Sequence, residues 1–454
     1  MLLGILFVAT LIRIYGYALQ YVNPDDSVYL ASCGLILHGY RPYVDFFLAH
    51  PPLYFWIVVG LWRILNVNDT FIMWAIGKSV SIISFLGTTI LIYLIGRKFH
   101  RYSGLIAAAL YQFESFTYHN SIICSPSILA TALLVTAMFL IVYRAPLPLV
   151  GLTLGLATNT RLSALYTIPA FGFYILWMFQ KKQITLRTIA TSVILYSIPL
   201  LPLLSFPFDK LFFNLGTFHF IKGGMTPTYR LQKLVFSIVP MRIPLLCLGF
   251  GSLVYLKINR SPNFVLLAAL SLSLLGPYLQ SPIGSPHLLL EAIPFFVLLS
   301  SITLSEVIHF PIHSKNKAPI TLLVVLLLYS FSNSIPLTSD AINLAVYTQN
   351  TDLPKLVEIA QQHSNINEMV FSQLSLIPFL ANRPYPPLVD TSPASSHAGV
   401  YTQTAVKELI IKYKVKVLIL AGSFVNNKLA TFLRAYGYRL TSIVEKRWMV
   451  YVLS

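Results

Sequence analysis

Long apolar runs alternate with short polar breaks over most of the chain, and these runs set its elements. The first covers 1–19 and is interrupted only by Arg13. It is followed by neither a small-residue cleavage site nor a soluble remainder, so it reads as a first membrane helix rather than a removed signal. Further runs lie at 71–95, 103–117, 128–143, 147–179, 189–206, 235–256, 264–279, 287–308 and 320–335. Most approach the roughly 20 residues that a helix needs to cross a bilayer. The 147–179 run is broken at Thr158-Asn159-Thr160-Arg161 and reads as two short helices.

From 339 onward the pattern becomes polar and mixed in charge. Helical spacing recurs at 353–363, 405–413 and 429–436. Strand patterns lie at 368–371 and 415–421, and 438–444 with 448–453 read as a final hairpin. Alternating helices and strands predict a small α/β domain. The chain then divides into a membrane domain, 1–337, and a soluble domain, 338–454. The latter has no Gly-rich phosphate loop and no nucleophile elbow.

Composition agrees. The 454 residues are 56% hydrophobic and 10% charged, where a soluble globule averages roughly 25% charged. The net charge is +17, from 32 basic and 15 acidic residues. Many of the basic residues sit in short loops between apolar runs, as orientation-setting charge does. No basic helix or aromatic-rich basic face is present, so nucleic acid is not a partner. Counting the run broken at Arg161 as two helices gives about eleven spans. Arg97/Lys98/Arg101, Arg144, Lys181/Lys182/Arg187, Lys257/Arg260 and Lys315/Lys317 then share the cytoplasmic side. The loops around 23–55, 206–233 and 280–286, with the C-terminal domain, fall outside. Cys33, Cys124 and Cys247 are too scattered for a disulfide framework or a zinc site. Three packed thiols is the reading favoured over one Cys33–Cys124 bridge.

The first external loop, 20–65, is the chain's chemical centre. Its core reads NPDDSVYLASCGLILHGYRPYVDFFLAHPPLYF at 23–55. Asp26 or Ser27 is predicted to cap a helix to His38, which Gly39 ends. Val28, Ala31, Leu35 and Ile36 or Leu37 give that helix an apolar face suited to the membrane interface. Arg41-Pro42 makes a turn. Pro51-Pro52 opens a second amphipathic stretch to Leu65, whose Tyr54, Phe55, Trp56 and Trp62 suit the headgroup level.

The loop resembles the first external loop of the GT-C glycosyltransferases. The resemblance rests on an acidic pair after the first membrane helix, an amphipathic run ending in Gly-Tyr-x-Pro-Tyr, and His-Pro-Pro-Leu-Tyr. It is strongest to the branch holding protein O-mannosyltransferases and lipid A aminoarabinose transferases, and covers the chain to about 308. It implies an α-helical multi-pass membrane protein with a small extracytoplasmic C-terminal domain. It also implies an inverting transfer of sugar from a polyprenyl-phosphate carrier to an acceptor hydroxyl on protein, lipid or polysaccharide. An external site has no access to nucleotide sugars, so the donor would be lipid-linked.

Such chemistry needs a carboxylate base for the acceptor hydroxyl and cations for the leaving phosphate. Asp25 matches the family's catalytic base. Asp26 falls where the family usually has Glu; orienting the acceptor, binding a divalent cation with Asp25 and capping the helix all stand open. His50 occupies the position of the aminoarabinose transferases' Lys before Pro-Pro-Leu, which implies a donor-phosphate contact. Arg161 interrupts an apolar stretch, where a charge faces a cavity or partner, and the resemblance again implies the donor phosphate. His287, in SPHLLLEAIP, is implied near the same phosphate, with Glu291 one turn on as a partner. Arg41 contacts the sugar or pairs locally with Asp45. Lys222 and Arg230, in a basic Gly-containing loop, contact donor or anionic lipid. The family's second acidic residue before the fourth helix is missing from HNSIICSPSILA, and a two-carboxylate or metal-dependent mechanism loses support there. No metal site is expected beyond that cation. The rival classes are a transporter or lipid flippase, which should show repeated halves with matched helix breaks, and a non-catalytic scaffold, which has no need of the Asp25 loop.

Overall fold

The computed structural model describes residues 3–4, 6–7, 10–11, 24–112, 114–223, 226–233, 261–281, 286–309, 352–445 and 447–454. The expected spans at 235–256 and 320–335, and most of that at 1–19, lie outside these residues. Two compact units emerge. One comprises 1–18, 80–205 and 224–344; the other comprises 19–79, 206–223 and 345–454.

The first unit is helical. Pro126–Val142, Leu147–Thr160 and Leu186–Ser197 pack side by side around Leu134, Met138 and Ala157. A Cβ on Gly151 or Gly155 would collide with the carbonyls of Ser192 and Tyr196, so the absence of side chains lets these helices approach closely. Ser103–Gln112 packs on Ile293–His309, with Ser103 Oγ 2.8 Å from Ser301 Oγ. Thr70–Phe99, which begins in the other unit, adds Phe85 stacked on Tyr111. Among the described residues, four helical segments are long and apolar enough to cross a membrane: Thr70–Phe99, Leu162–Gln180, Leu186–Ser205 and Pro262–Gln280. The chain is a multi-pass membrane protein.

The break read at Arg161 is present. Leu147–Thr160 stops there, Arg161 is extended (φ −157°, ψ 130°), and a 3-10 turn, Leu162–Thr167, leads into Ile168–Gln180. The run expected to be continuous over 103–117 is not. Ser103–Gln112 ends, and Glu114 caps a new helix, Ser115–Ser121, by accepting the Thr117 N–H at 2.7 Å. A carboxylate that takes up an orphan donor starts a helix rather than prolonging one.

The second unit is built on a four-stranded sheet: β1 (Val370–Ser372), β2 (Val417–Ala421), β3 (Tyr438–Val444) and β4 (Trp448–Leu453), in the order β1-β2-β4-β3. β1 and β2 are parallel, with Phe371 opposite Leu418; β2–β4 and β4–β3 are antiparallel. β2 is apolar almost throughout, as a strand with neighbours on both sides requires. β3 shows its middle to solvent, as an edge strand does. Gln403–Tyr413 contributes Val406 and Ile410 to the core under the sheet, and Asn427–Ala435 contributes Leu429 and Leu433. Both helices start at a side-chain cap, Thr402 and Asn426 respectively.

The same unit holds the first loop. Its helix, Pro24–Leu37, already contains Asp26 and Ser27, so neither is the cap that the sequence predicted. Ser27 is turned to another use, accepting the Leu376 N–H at 2.8 Å. Tyr385 donates to the Ala31 carbonyl at 2.8 Å, and its hydroxyl occupies the space a Cβ on Gly34 would need. The helix is thus pinned along its length by the segment that follows β1.

Candidate functional site

Both carboxylates of the acidic pair stand in the first turn of Pro24–Leu37. Free N–H groups and the positive end of the helix dipole favour negative charge there. Neighbouring positions on a helix are separated by about 100°, so the two side chains meet different surroundings. Asp26 is fully buried, and Lys78 Nζ lies 3.8 Å from its Oδ2. Lys78 is itself buried and sits 4.2 Å above the Trp74 ring. Asp25 is only half-buried. The acidic pair is therefore asymmetric: one carboxylate faces a lysine inside the protein, and its neighbour has partial access to solvent.

His50 lies at the far end of the same loop and is tied back to this helix. Tyr29 Oη is 3.1 Å from His50 Nε2, and the rings meet edge to face. Tyr43 donates to the His50 carbonyl at 2.7 Å. Burial raises the Tyr43 phenol well above its ordinary range, so it stays a neutral donor. The Arg41–Asp45 ion pair anticipated from sequence takes another form: the Arg41 backbone N–H donates to Asp45 Oδ2 at 2.6 Å. That bond closes the turn at Arg41-Pro42 without calling on the guanidinium, and both residues are exposed.

A second segment of this unit packs on the loop. Phe208–Phe212, a π-helical turn at Phe213–Thr217 and Phe218–Ile221 run on as one helical stretch. Phe47 enters it between Phe213 and Phe218. Asn214 Oδ1 accepts the Leu48 N–H at 2.9 Å, and His219 Nε2 lies 2.8 Å from the Ala49 carbonyl. Lys222 Nζ is 2.9 Å from His219 Nδ1. Three consecutive residues, 48–50, are thus fixed by the Asn214 and His219 side chains and by Tyr29 and Tyr43.

In the other unit, Arg161 is buried and its Nη1 donates to Glu291 Oε1 at 2.8 Å and to Ser127 Oγ. Ser163 donates to the same Glu291 oxygen at 3.0 Å. The partner anticipated for Glu291 from sequence was His287; the structure gives it Arg161. An extended residue between two helices can turn its side chain toward the Ile293–His309 region, which a helical one would not. His287 lies on the 3-10 turn Pro286–Leu289 and Arg230 on the helix Pro227–Lys233, and the side chains of both are outside the described residues.

Cys33 and Cys124 are buried free thiols. Burial raises the Cys33 thiol far above its usual range, so it is inert. Among the described residues no group of three or more His, Cys, Asp or Glu could hold a metal ion. Sequence reasoning missed Lys78. Its signal was present: a lone lysine inside an apolar helix demands a partner.

The sequence of residues 49–206 matches the family model described as dolichyl-phosphate-mannose-protein mannosyltransferase. No curated protein matches the chain. The crystal structure of ArnT from Cupriavidus metallidurans bound to undecaprenyl phosphate has a TM-score of 0.68 at 12% identity, covering 100% of this chain and 98% of that one. Its apo state gives a TM-score of 0.71 at 11% identity, covering 99% and 98%. The archaeal oligosaccharyltransferase AglB from Archaeoglobus fulgidus, in complex with an inhibitory peptide and a dolichol-phosphate, gives 0.58 at 13% identity, covering 100% and 74%. The fold is that of the GT-C glycosyltransferases, and the resemblance read from the Asp25 loop holds.

Proposed function

We propose that the protein transfers a sugar from a polyprenyl-phosphate carrier to an acceptor hydroxyl on the extracytoplasmic face of the membrane. The observation that carries the reading is the asymmetry of the acidic pair. Asp26 is sealed from solvent beside Lys78, whereas Asp25 in the first helical turn is only half-buried, so it is the carboxylate of the two that an incoming hydroxyl can reach. Similarity in fold to proteins solved with undecaprenyl phosphate and dolichol-phosphate supports a lipid-linked donor.

In this mechanism Asp25 takes the acceptor's proton as the oxygen attacks the anomeric carbon. The bond from that carbon to the phosphate oxygen breaks on the opposite face, so the configuration inverts. The electron pair leaves with the lipid phosphate, which needs positive charge or hydrogen-bond donors nearby. His50, Arg161 and His287 are the proposed contacts for that phosphate. Arg161 enters the role already paired with Glu291, so its net charge is partly offset. The acceptor class is a proposal at the level of a hydroxyl on protein, lipid or polysaccharide.

The test is a comparison of glycans and lipid-linked sugars in cells lacking the protein and in cells carrying Asp25→Asn. Both should lose the same glycan and accumulate the same lipid-linked sugar. A normal glycan profile in the Asp25→Asn cells contradicts the reading.

A further inference from the structure

Two sets of aromatic residues border the first loop, and they face opposite ways. Tyr54, Phe55 and Trp62, which in the sequence suit the headgroup level, are at most 1% exposed and pack inside the protein. The outward aromatics belong to the helical stretch that grips the loop. Along Phe208–Phe212, Phe213–Thr217 and Phe218–Ile221, Phe208 is 78% exposed, Phe212 59% and Phe220 67%. Asn214, Leu215 and Phe218 of the same stretch are buried. Asn214 accepts the Leu48 N–H at 2.9 Å, and Phe47 lies edge-on to Phe218. The stretch is therefore apolar on two sides, one closed by protein and one open.

The π-helical turn in its middle keeps the open side in one piece. Phe208 and Phe212 stack, with ring centroids 5.9 Å apart. At about 100° per residue, twelve α-helical positions would set Phe220 about 120° round the axis from Phe208. The π turn at Phe213–Thr217 closes i→i+5 and takes up an extra residue, which swings Phe220 back toward the other two.

A contiguous apolar patch of this kind marks a surface made for a partner. The run of the chain says which partner. Leu186–Ser205 is long and apolar enough to cross a membrane, and it ends three positions before Phe208. Three residues reach about 11 Å at most, and the headgroup layer on one side of a bilayer is roughly 5–8 Å deep. The stretch thus starts at the edge of the lipid. Outward phenylalanines there suit a helix lying in the interface plane.

We infer that the face made by Phe208, Phe212 and Phe220 is seated among the headgroups and upper acyl chains of the bilayer, with lipid as its partner. The outer side of the stretch then rests on lipid while its inner side holds residues 47–49 of the first loop. Insertion of the three phenylalanines sets the height of that loop segment against the membrane surface. This seating is independent of the reaction that the loop performs.

The test places a nitroxide at Phe208→Cys, Phe212→Cys or Phe220→Cys in the full-length protein, reconstituted in phosphatidylcholine vesicles. Cys247→Ser is present throughout, and Cys33 and Cys124 are buried. Collision with oxygen, which concentrates in lipid, is compared with collision with a nickel chelate, which stays in water. Val193→Cys, exposed on Leu186–Ser205, gives the lipid reference. Lys428→Cys, exposed on the polar helix Asn427–Ala435, gives the water reference. At 208, 212 and 220 the oxygen-to-nickel ratio should shift away from the Lys428→Cys value toward that of Val193→Cys. Lys210→Cys, about 200° round the helix from Phe208, should stay with Lys428→Cys. Ratios equal to the water reference at the three positions overturn the inference. Exclusion of both colliders from an immobilised label shows that protein covers the face, and dipolar broadening between labels shows that a second copy does; either result overturns lipid as the partner. The three positions are independent, so the result stays decisive should one variant not fold.

Discussion

Lys78 Nζ lies 3.8 Å from Asp26 Oδ2, and both side chains are sealed from solvent. Removing one partner of such a pair leaves a buried charge without its counter-ion, at about 3–5 kcal/mol. Lys78→Met should lower the melting temperature of the purified protein clearly. Lys78→Met combined with Asp26→Asn should recover much of the loss, because no net charge remains buried. Melting curves of the two variants beside the natural protein check this; equal loss in both would deny the pairing its role.

Arg161 and Glu291 form a second buried pair, 130 residues apart in sequence. Ser127 and Ser163 complete its hydrogen bonds. Arg161→Gln and Glu291→Gln should each destabilise the protein, and the double variant should fall short of their sum. A double-mutant cycle should give a coupling of about 1–3 kcal/mol. Strict additivity would show that the contact contributes nothing.

Much of this was legible in the sequence, and the remainder was hidden for a definite reason. β3 and β4 read directly as the two arms of a final hairpin, and the Arg161 break from four polar residues in an apolar run. The Asp25 loop was legible because its parts follow one another within a single stretch. Asp26 with Lys78, Arg161 with Glu291 and His219 with Ala49 were not, since pairings across distant segments leave no local periodicity. That the helix runs through Asp26 and Ser27 was missed because both look like caps, and only the structure shows Ser27 serving Leu376.

Burial lowers His119 to a pKa of about 4. The unfolded chain, with a histidine near 6.5, then binds more protons between pH 6.5 and 4. Stability should be unaffected by this group above pH 6.5 and should fall as pH drops through that window. The full effect is on the order of 3 kcal/mol. Melting temperatures from pH 7.5 to 4.5 should fall more steeply for the natural protein than for His119→Gln. Parallel slopes would exclude His119 as the source.

Gly34 lies against the Tyr385 hydroxyl, which donates to the Ala31 carbonyl. Gly34→Val should force the tyrosine away, break that bond and cost about 1–3 kcal/mol. Adding Tyr385→Phe should relieve part of the clash. Thermal melts of the single and double variants measure both effects, and a neutral Gly34→Val would contradict the packing.

The most direct measurement of the central claim is the rate of sugar transfer by purified Asp25→Asn, using the lipid-linked sugar that accumulates in cells lacking the protein. The rate should fall about 10²–10⁴-fold, the usual contribution of a general base. Yield and membrane insertion should stay unchanged. Transfer at the natural rate by a well-folded Asp25→Asn protein would contradict the account.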